Sequence, residues 1–253
     1  KRNFASTIWN TIMNGKELTS SQKGHYRQEG YVILREVFSQ AECDDFIEYM
    51  MDLHAGRRKL NGFTLRQADE WGRTHNQHAY DPVAMAWLID LRLCQPLYDC
   101  LGEDAEGIQT MYFWKGSEQR RHQDQFYLPS CMSAWIALQN IGVENGTIYV
   151  QPGSHKNRLI TRYDFEDAGE FHGMDYNDAV DFLFERNNLP EIEVEVSTGD
   201  VVLFHGVLVH RGGLILDKNS FRHVLANHYI PHGFTGWHLG WPRYSFDGGI
   251  VKS

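Results

Sequence analysis

The rhythm of apolar and polar positions changes at Gly107. Before that point the apolar residues recur mainly at helical spacing. Leu18 to Gln28 suits a short helix that Gly30 stops. Tyr31-Val32-Ile33-Leu34 is a short, β-branched run and predicts a strand. Ser39 opens S-Q-A-E, a capping box completed by Glu42. Phe46, Ile47, Met50 and Met51 carry the following helix as far as Gly56. Asp81-Pro82 starts another helical stretch, since proline suits a first turn. It runs through Met85, Leu88 and Ile89 toward Leu101 and ends at Gly102.

From Gly107 the period is two. Gln109, Met111 and Phe113 alternate with Thr110, Tyr112 and Trp114. Residues 133–138, 147–150, 192–196, 201–204 and 221–230 are β-like, and Asn145-Gly146, Pro152-Gly153, Gly199-Asp200 and Gly212-Gly213 separate them. Many short strands at this spacing predict a sandwich or barrel. Asp175 to Arg186 reads as a helical insertion. With no repeat or low-complexity linker, residues 1–253 read as one domain of mainly β class with α. Residues 1–105 form a mostly helical layer and lid, 106–231 the β core with an insertion near 160–190, and 232–253 a tail.

Composition narrows the partners. The 42% hydrophobic and 23% charged residues are globular values. A net charge of −9 argues against tracking phosphates, so no nucleic-acid partner is expected. No apolar run approaches the roughly 18 residues of a membrane span. The cysteines at 43, 94, 100 and 131 form no C-x-x-C pair, which leaves reduced thiols and a cytoplasmic location as the simple reading. Of 13 histidines, nine lie between His122 and His238, and imidazole is the commonest neutral metal ligand.

The segment Arg120-Arg121-His122-Gln123-Asp124-Gln125-Phe126-Tyr127 concentrates that chemistry. Residues two apart on extended chain face one side, so His122 and Asp124 can point together into a barrel. A distant third ligand would complete two histidines and a carboxylate, the set that holds non-haem Fe(II) with open positions for co-substrate and O2. His210 ends the apolar run 201–209 and precedes Gly212-Gly213; His205 competes with it. Arg222 stands on the segment after that ligand, where a guanidinium can grip a carboxylate in bidentate fashion.

The blocks MYFWKGS (111–117), HQDQFY (122–127), ENGTIYVQPGSHK (144–156), STGDVVLFHGVLVH (197–210) and NSFRHVLANHYIP (219–231) resemble the phytanoyl-CoA dioxygenase family of Fe(II)- and 2-oxoglutarate-dependent oxygenases. EGYVILREVFSQAECDDF (29–46) extends the resemblance over nearly the whole chain. It implies a double-stranded β-helix, a jelly-roll or cupin-like core. It also implies Fe(II) on His122, Asp124 and His210, and Arg222 on the far carboxylate of 2-oxoglutarate. Met111 and Trp135 would line the co-substrate pocket, joined by Gln109 and Ser220 through strand alternation. O2 is then the second co-substrate and ascorbate a possible reductant. With Asp124 in place, the family pattern implies hydroxylation of a small molecule, or a related desaturation or ring closure, over halogenation. Rival readings are a metal barrel that does not use 2-oxoglutarate, for which a buried Arg222 has no purpose, and a silent binding module.

Several other residues are candidates for the mouth. Lys115, Arg120 and Arg121 would attract an anion if they formed a rim. Arg57, Arg58, Lys59 and Arg66 lie in the polar stretch 56–80, which is expected to fold over the site. Phe126, Tyr127, Trp237 and Trp241 would line a substrate pocket.

Overall fold

Capping chemistry sets the start of the helical layer. In the computed structural model, which describes residues 15–64, 72–217 and 219–251, Thr19 caps helix α1 (Ser20–Glu29) and Ser39 caps α2 (Gln40–His54), each in a closed capping box. Gly30 ends α1 with φ 85°, a left-handed turn that glycine adopts without a Cβ penalty. Strand β1 (Tyr31–Leu34) follows at once. The helix expected from Asp81 to Leu101 is instead two, α3 (Pro82–Leu88) and α4 (Cys94–Leu101), separated by a tight turn at Leu91–Leu93. The Asp90 carboxylate accepts the Arg92 N–H at 2.9 Å and so starts a new turn where continuation was expected.

The β core comprises β2 (Ala105–Phe113), β3 (Met132–Ala137), β4 (Ile148–Val150), β5 (Ile192–Val194), β6 (Val201–His205), β7 (His210–Gly212), β8 (Val224–Pro231), β9 (Arg243–Tyr244) and β10 (Ile250–Val251). The larger sheet has the order β1-β6-β3-β8-β2-β9-β10, the smaller β5-β4-β7, and the pairing is antiparallel throughout. This is the double-stranded β-helix, mainly β, behind an N-terminal helical layer. Helix α5 (Tyr176–Asn187), capped by Asp175, is the insertion expected between β4 and β5. Among the described residues no helix is long and apolar enough to cross a membrane.

Strand alternation assigns each side chain to a face. Ala134, Ile136, Leu203 and Leu225 face outward and pack with Phe46, Met50, Leu88 and Leu97 of the helical layer. Trp135, Ala137, Val202, Phe204, Val224 and Ala226 face inward against Ile148, Val150 and Val194 of the smaller sheet. Strands β3 and β6 are therefore buried on both faces, which is why they read as continuous apolar runs. Full burial of each Val, Leu, Ile or Phe among them contributes about 1.5–3 kcal/mol.

The stretch 72–80 lies along the edge of β2 that β9 pairs only at Gly107, near the strand's other end. Thr74 N–H donates to Tyr112 O at 2.9 Å and Asn76 N–H to Thr110 O at 2.8 Å. Upstream, Arg57 pairs with Asp52 at 2.7 Å and Arg58 lies over the Tyr49 ring, while Lys59 is exposed. Arg57 and Arg58 thus engage α2, against the expectation that they cover the site. Arg66 lies outside the described residues.

Candidate active site

The three expected ligands converge from two segments. His122 and His210 form a backbone pair, with His122 N–H donating to His210 O at 2.9 Å and the reverse bond at 3.1 Å. Asp124 begins a single tight turn, Asp124–Phe126, and its carboxylate stands within reach of both rings. His122 Nε2 and His210 Nε2 each lie 3.6 Å from Asp124 Oδ1. All three residues are buried, and their ligand atoms fall within 4.8 Å of one another.

Hydrogen bonds fix the tautomers. His122 Nδ1 lies 2.8 Å from Arg120 O and His210 Nδ1 lies 2.9 Å from Leu208 O. A carbonyl only accepts, so each Nδ1 carries a hydrogen and each Nε2 is the atom left facing the centre. Burial, helped by His210, pushes His122 down to about 3, so its ring is neutral. Burial opposes ionisation of Asp124, but the adjacent His210 and His228 outweigh it and hold the carboxyl well below its usual range. His205 does other work: its Nδ1 accepts the Val207 N–H at 3.1 Å, closing the turn after β6. That turn passes so close to Cys131 that a Cβ on Gly206 would meet Cys131 O at 2.3 Å.

Two residues around Asp124 carried no distinct signal in the chain. Ser133 hydroxyl donates to Asp124 Oδ2 at 2.6 Å, and His228 Nε2 lies 3.4 Å from the same oxygen. Ser133 shares the inward parity of Trp135, and His228 that of Ala226, so alternation was the available clue. Gln123, between the two ligands, points the other way and is fully buried. Its amide donates to Arg158 O and Val207 O, and its carbonyl oxygen accepts the Ile160 N–H. It ties the ligand turn to the insertion, where Tyr176 also stacks on Phe126 at 3.8 Å.

Arg222 is 2% exposed and borders the same cavity as the three ligands, Met111, Phe113 and Trp135. Its Nη1 donates to Gly146 O at 2.5 Å, while its Nε has no partner. No carboxylate of the described residues pairs with it. Burial lowers its proton affinity to about 10, still fully charged near neutrality. An anionless buried guanidinium is costly, so the cavity wall is built for an anion. Arg211 is already held by Glu191 at 2.6 and 2.9 Å and is no substitute.

Other expected site residues fall elsewhere. Gln109 stands opposite His228 on the inward face but does not border the cavity. Ser220 is corrected: its hydroxyl donates to Asp217 O at 2.7 Å in a surface turn. Strand β8 begins only at Val224, so alternation does not reach Ser220. Arg120 pairs with Asp178 and Asp181, and Arg121 with Asp181 and Glu191, so neither is a free rim charge. Lys115 sits over the Phe221 ring, 5.9 Å from its centroid. Trp237 and Trp241 pack on Ile108, Leu128, Cys131 and Ile230, and Trp241 Nε1 donates to Ile108 O at 2.9 Å. They anchor the tail and do not border the cavity.

Comparison with known proteins agrees with this geometry. Residues 26–223 match the family model described as phytanoyl-CoA dioxygenase (PhyH). A zebrafish (Danio rerio) relative named phytanoyl-CoA dioxygenase domain-containing protein 1 is 32% identical over 286 residues, covering 87% of this chain and 92% of its own. A rice (Oryza sativa subsp. japonica) phytanoyl-CoA dioxygenase 1 is 32% identical over 186 residues, covering 68% of this chain and 63% of its own length. Among solved structures, the 2-oxoglutarate-dependent carbocyclase SnoK of nogalamycin biosynthesis superposes with TM-score 0.66 at 20% identity, covering 90% of this chain and 86% of its own. EctD from S. alaskensis, solved with 2-oxoglutarate and 5-hydroxyectoine, gives TM-score 0.65 at 21% identity, covering 85% and 76%. These structural likenesses show the shared fold. The match over 26–223, with the convergent histidines and carboxylate, places the chain in the phytanoyl-CoA dioxygenase family of Fe(II)- and 2-oxoglutarate-dependent oxygenases.

Proposed function

We propose that this chain is a non-haem Fe(II)/2-oxoglutarate-dependent dioxygenase that hydroxylates a C–H bond of a small-molecule metabolite. Succinate and carbon dioxide are the co-products. The observation that carries the reading is the unpaired guanidinium of Arg222 in the cavity that also holds His122, Asp124 and His210. A metal barrel with no acidic co-substrate has no use for it.

The residues fit the cofactors. His122 Nε2, His210 Nε2 and one Asp124 oxygen would hold Fe(II), a donor set that leaves three positions open. Bound there, iron couples oxidative decarboxylation of 2-oxoglutarate to O2 activation, with ascorbate as the reductant that keeps it ferrous. Arg222 grips the distal carboxylate, and Met111, Phe113 and Trp135 supply dry walls. Ser133 and His228 hold Asp124 Oδ2, so Oδ1 stays aimed at the metal position. The carboxylate of Asp124 favours hydroxylation over halogenation, and the likeness to a carbocyclase makes ring closure the second product to look for. Net charge −9 and the paired state of Arg120 and Arg121 support a small substrate over a nucleic acid. The four free thiols fit a reducing, cytoplasmic setting.

The test is succinate release from 2-oxoglutarate with Fe(II) and ascorbate, with pooled metabolites added by chemical class. The expected result is slow basal release that a substrate pool accelerates. Absence of both succinate release and 2-oxoglutarate binding by metal-loaded protein would sink the reading.

A further inference from the structure

Phe113 is flanked by two guanidinium groups. Arg222 lies 5.5 Å and Arg73 5.4 Å from its ring centroid. Arg73 is brought there by a backbone bridge to Phe113, at the start of the stretch that covers the edge of β2. Its Nη1 donates to Gln119 Oε1 at 2.9 Å, and Gln119 borders the cavity. Its Nε donates to His75 Nε2 at 3.0 Å. Both partners are neutral: desolvation of the inner side of the ring, helped by the charge of Arg73, pushes His75 down to about 4 although its outer side is exposed. Arg73 has no carboxylate partner among the described residues, and its Nη2 makes no hydrogen bond there. By contrast Arg35, Arg92, Arg121, Arg158 and Arg211 each pair with an acid.

We infer that Arg73 receives an acidic group, a carboxylate above all, on the substrate, so that the enzyme oxidises an anionic small molecule. The inference rests on the proposed function and names its substrate class. Charge accounting supports it. In the loaded site the two charges of Fe(II) and that of Arg222 are matched by Asp124 and the two carboxylates of 2-oxoglutarate. Among the described residues, Arg73 is then a charge with no acid partner, beside Phe113 and Gln119 of the cavity wall. Position supports it too. Arg222 is sealed in the interior, whereas Arg73 is only half-buried and stands against Phe113 and Gln119, which border the cavity. Its two neutral hydrogen bonds pre-orient the guanidinium, and among the described residues nothing occupies its Nη2, the edge that suits a charge-assisted pair.

The test uses the full chain loaded with nickel and 2-oxoglutarate, which binds without turnover. The probes are matched pairs of small carboxylic acids and their carboxamides, with binding read by calorimetry. At least one acid is expected to bind the parent about 10-fold or more tightly than its amide. Arg73→Gln should bring that ratio near one, and Arg73→Lys should keep part of it. Nickel content and 2-oxoglutarate affinity should stay at parent values in both variants. The inference is overturned if no acid is preferred by the parent, or if the preference survives in Arg73→Gln. It is also overturned if Arg73→Gln weakens 2-oxoglutarate as much as the acids, since Arg73 would then serve the co-substrate. Failure of the broader functional reading is separable. A parent that does not bind 2-oxoglutarate can still be measured for acid preference with nickel alone.

Discussion

Ser133 donates its hydroxyl to Asp124 Oδ2 across 2.6 Å, inside a strand buried on both faces. That bond, with His228 on the same oxygen, leaves Oδ1 as the atom directed at His122 and His210. Ser133→Ala should therefore loosen the carboxylate without removing a ligand. The expected outcome is a fall in metal affinity of about 10- to 100-fold. Competition against a chelator measures it, with circular dichroism as the control for folding. Unchanged affinity would show that His228 alone orients Asp124.

Single alanine substitutions at His122, Asp124 and His210 should each abolish stoichiometric metal binding. His205→Ala should retain it, because His205 Nδ1 is spent on the Val207 N–H. Metal content by elemental analysis decides this. Loss of metal in His205→Ala together with retention in His210→Ala would reverse the assignment.

Arg222→Gln keeps a polar side chain but removes the charge. The expected loss is about 2–5 kcal/mol, or roughly 30- to 5,000-fold, in affinity for 2-oxoglutarate. Metal content should remain near the parent value. Equilibrium binding of 2-oxoglutarate to nickel-loaded protein is the measurement, and parent-like affinity would move the role to another residue.

Besides His75, three histidines outside the ligand set are held neutral. Burial pushes His78, His205 and His223 each down to about 4 from 6.5, with His155 adding to the effect on His205 and His54 to that on His223. Unfolding restores the ordinary value, so between about pH 6.5 and 4 the unfolded chain binds more protons than the folded one. Stability rises with pH in that window and is lost as pH falls through it. Urea denaturation at pH 7.5 and pH 5.0 should differ by about 2 kcal/mol or more. His78→Gln should flatten the dependence, and a pH-independent midpoint would contradict the burial of these rings.

The parts of the site that alternation governs were legible in the chain. His122 and Asp124 share a side two residues apart and His210 ends an apolar run, while Met111 and Trp135 were marked by the family resemblance, with which their inward parity agrees. Parity also marks Ser133 and His228, but nothing local says that a carboxylate comes to meet them. Ser220 failed because the parity argument was carried past the true start of β8 at Val224. Arg73 had no local signature. Its place depends on the pairing of residues 73–76 with β2, a long-range contact that the hydrophobic pattern does not encode. The break between α3 and α4 rests on one side-chain cap at Asp90, which competes with helix continuation only by about 1 kcal/mol.

The reciprocal backbone bonds between His122 and His210 bear on the order of events in folding. They join segments far apart in the chain, so the pair forms only after β6 and β7 have found their neighbours, at the high loop-closure entropy of a non-local contact. Once formed, the pair fixes the backbone from which both imidazoles project. A metal held there would raise the unfolding temperature with free metal concentration by mass action, because only the folded chain brings the two segments together.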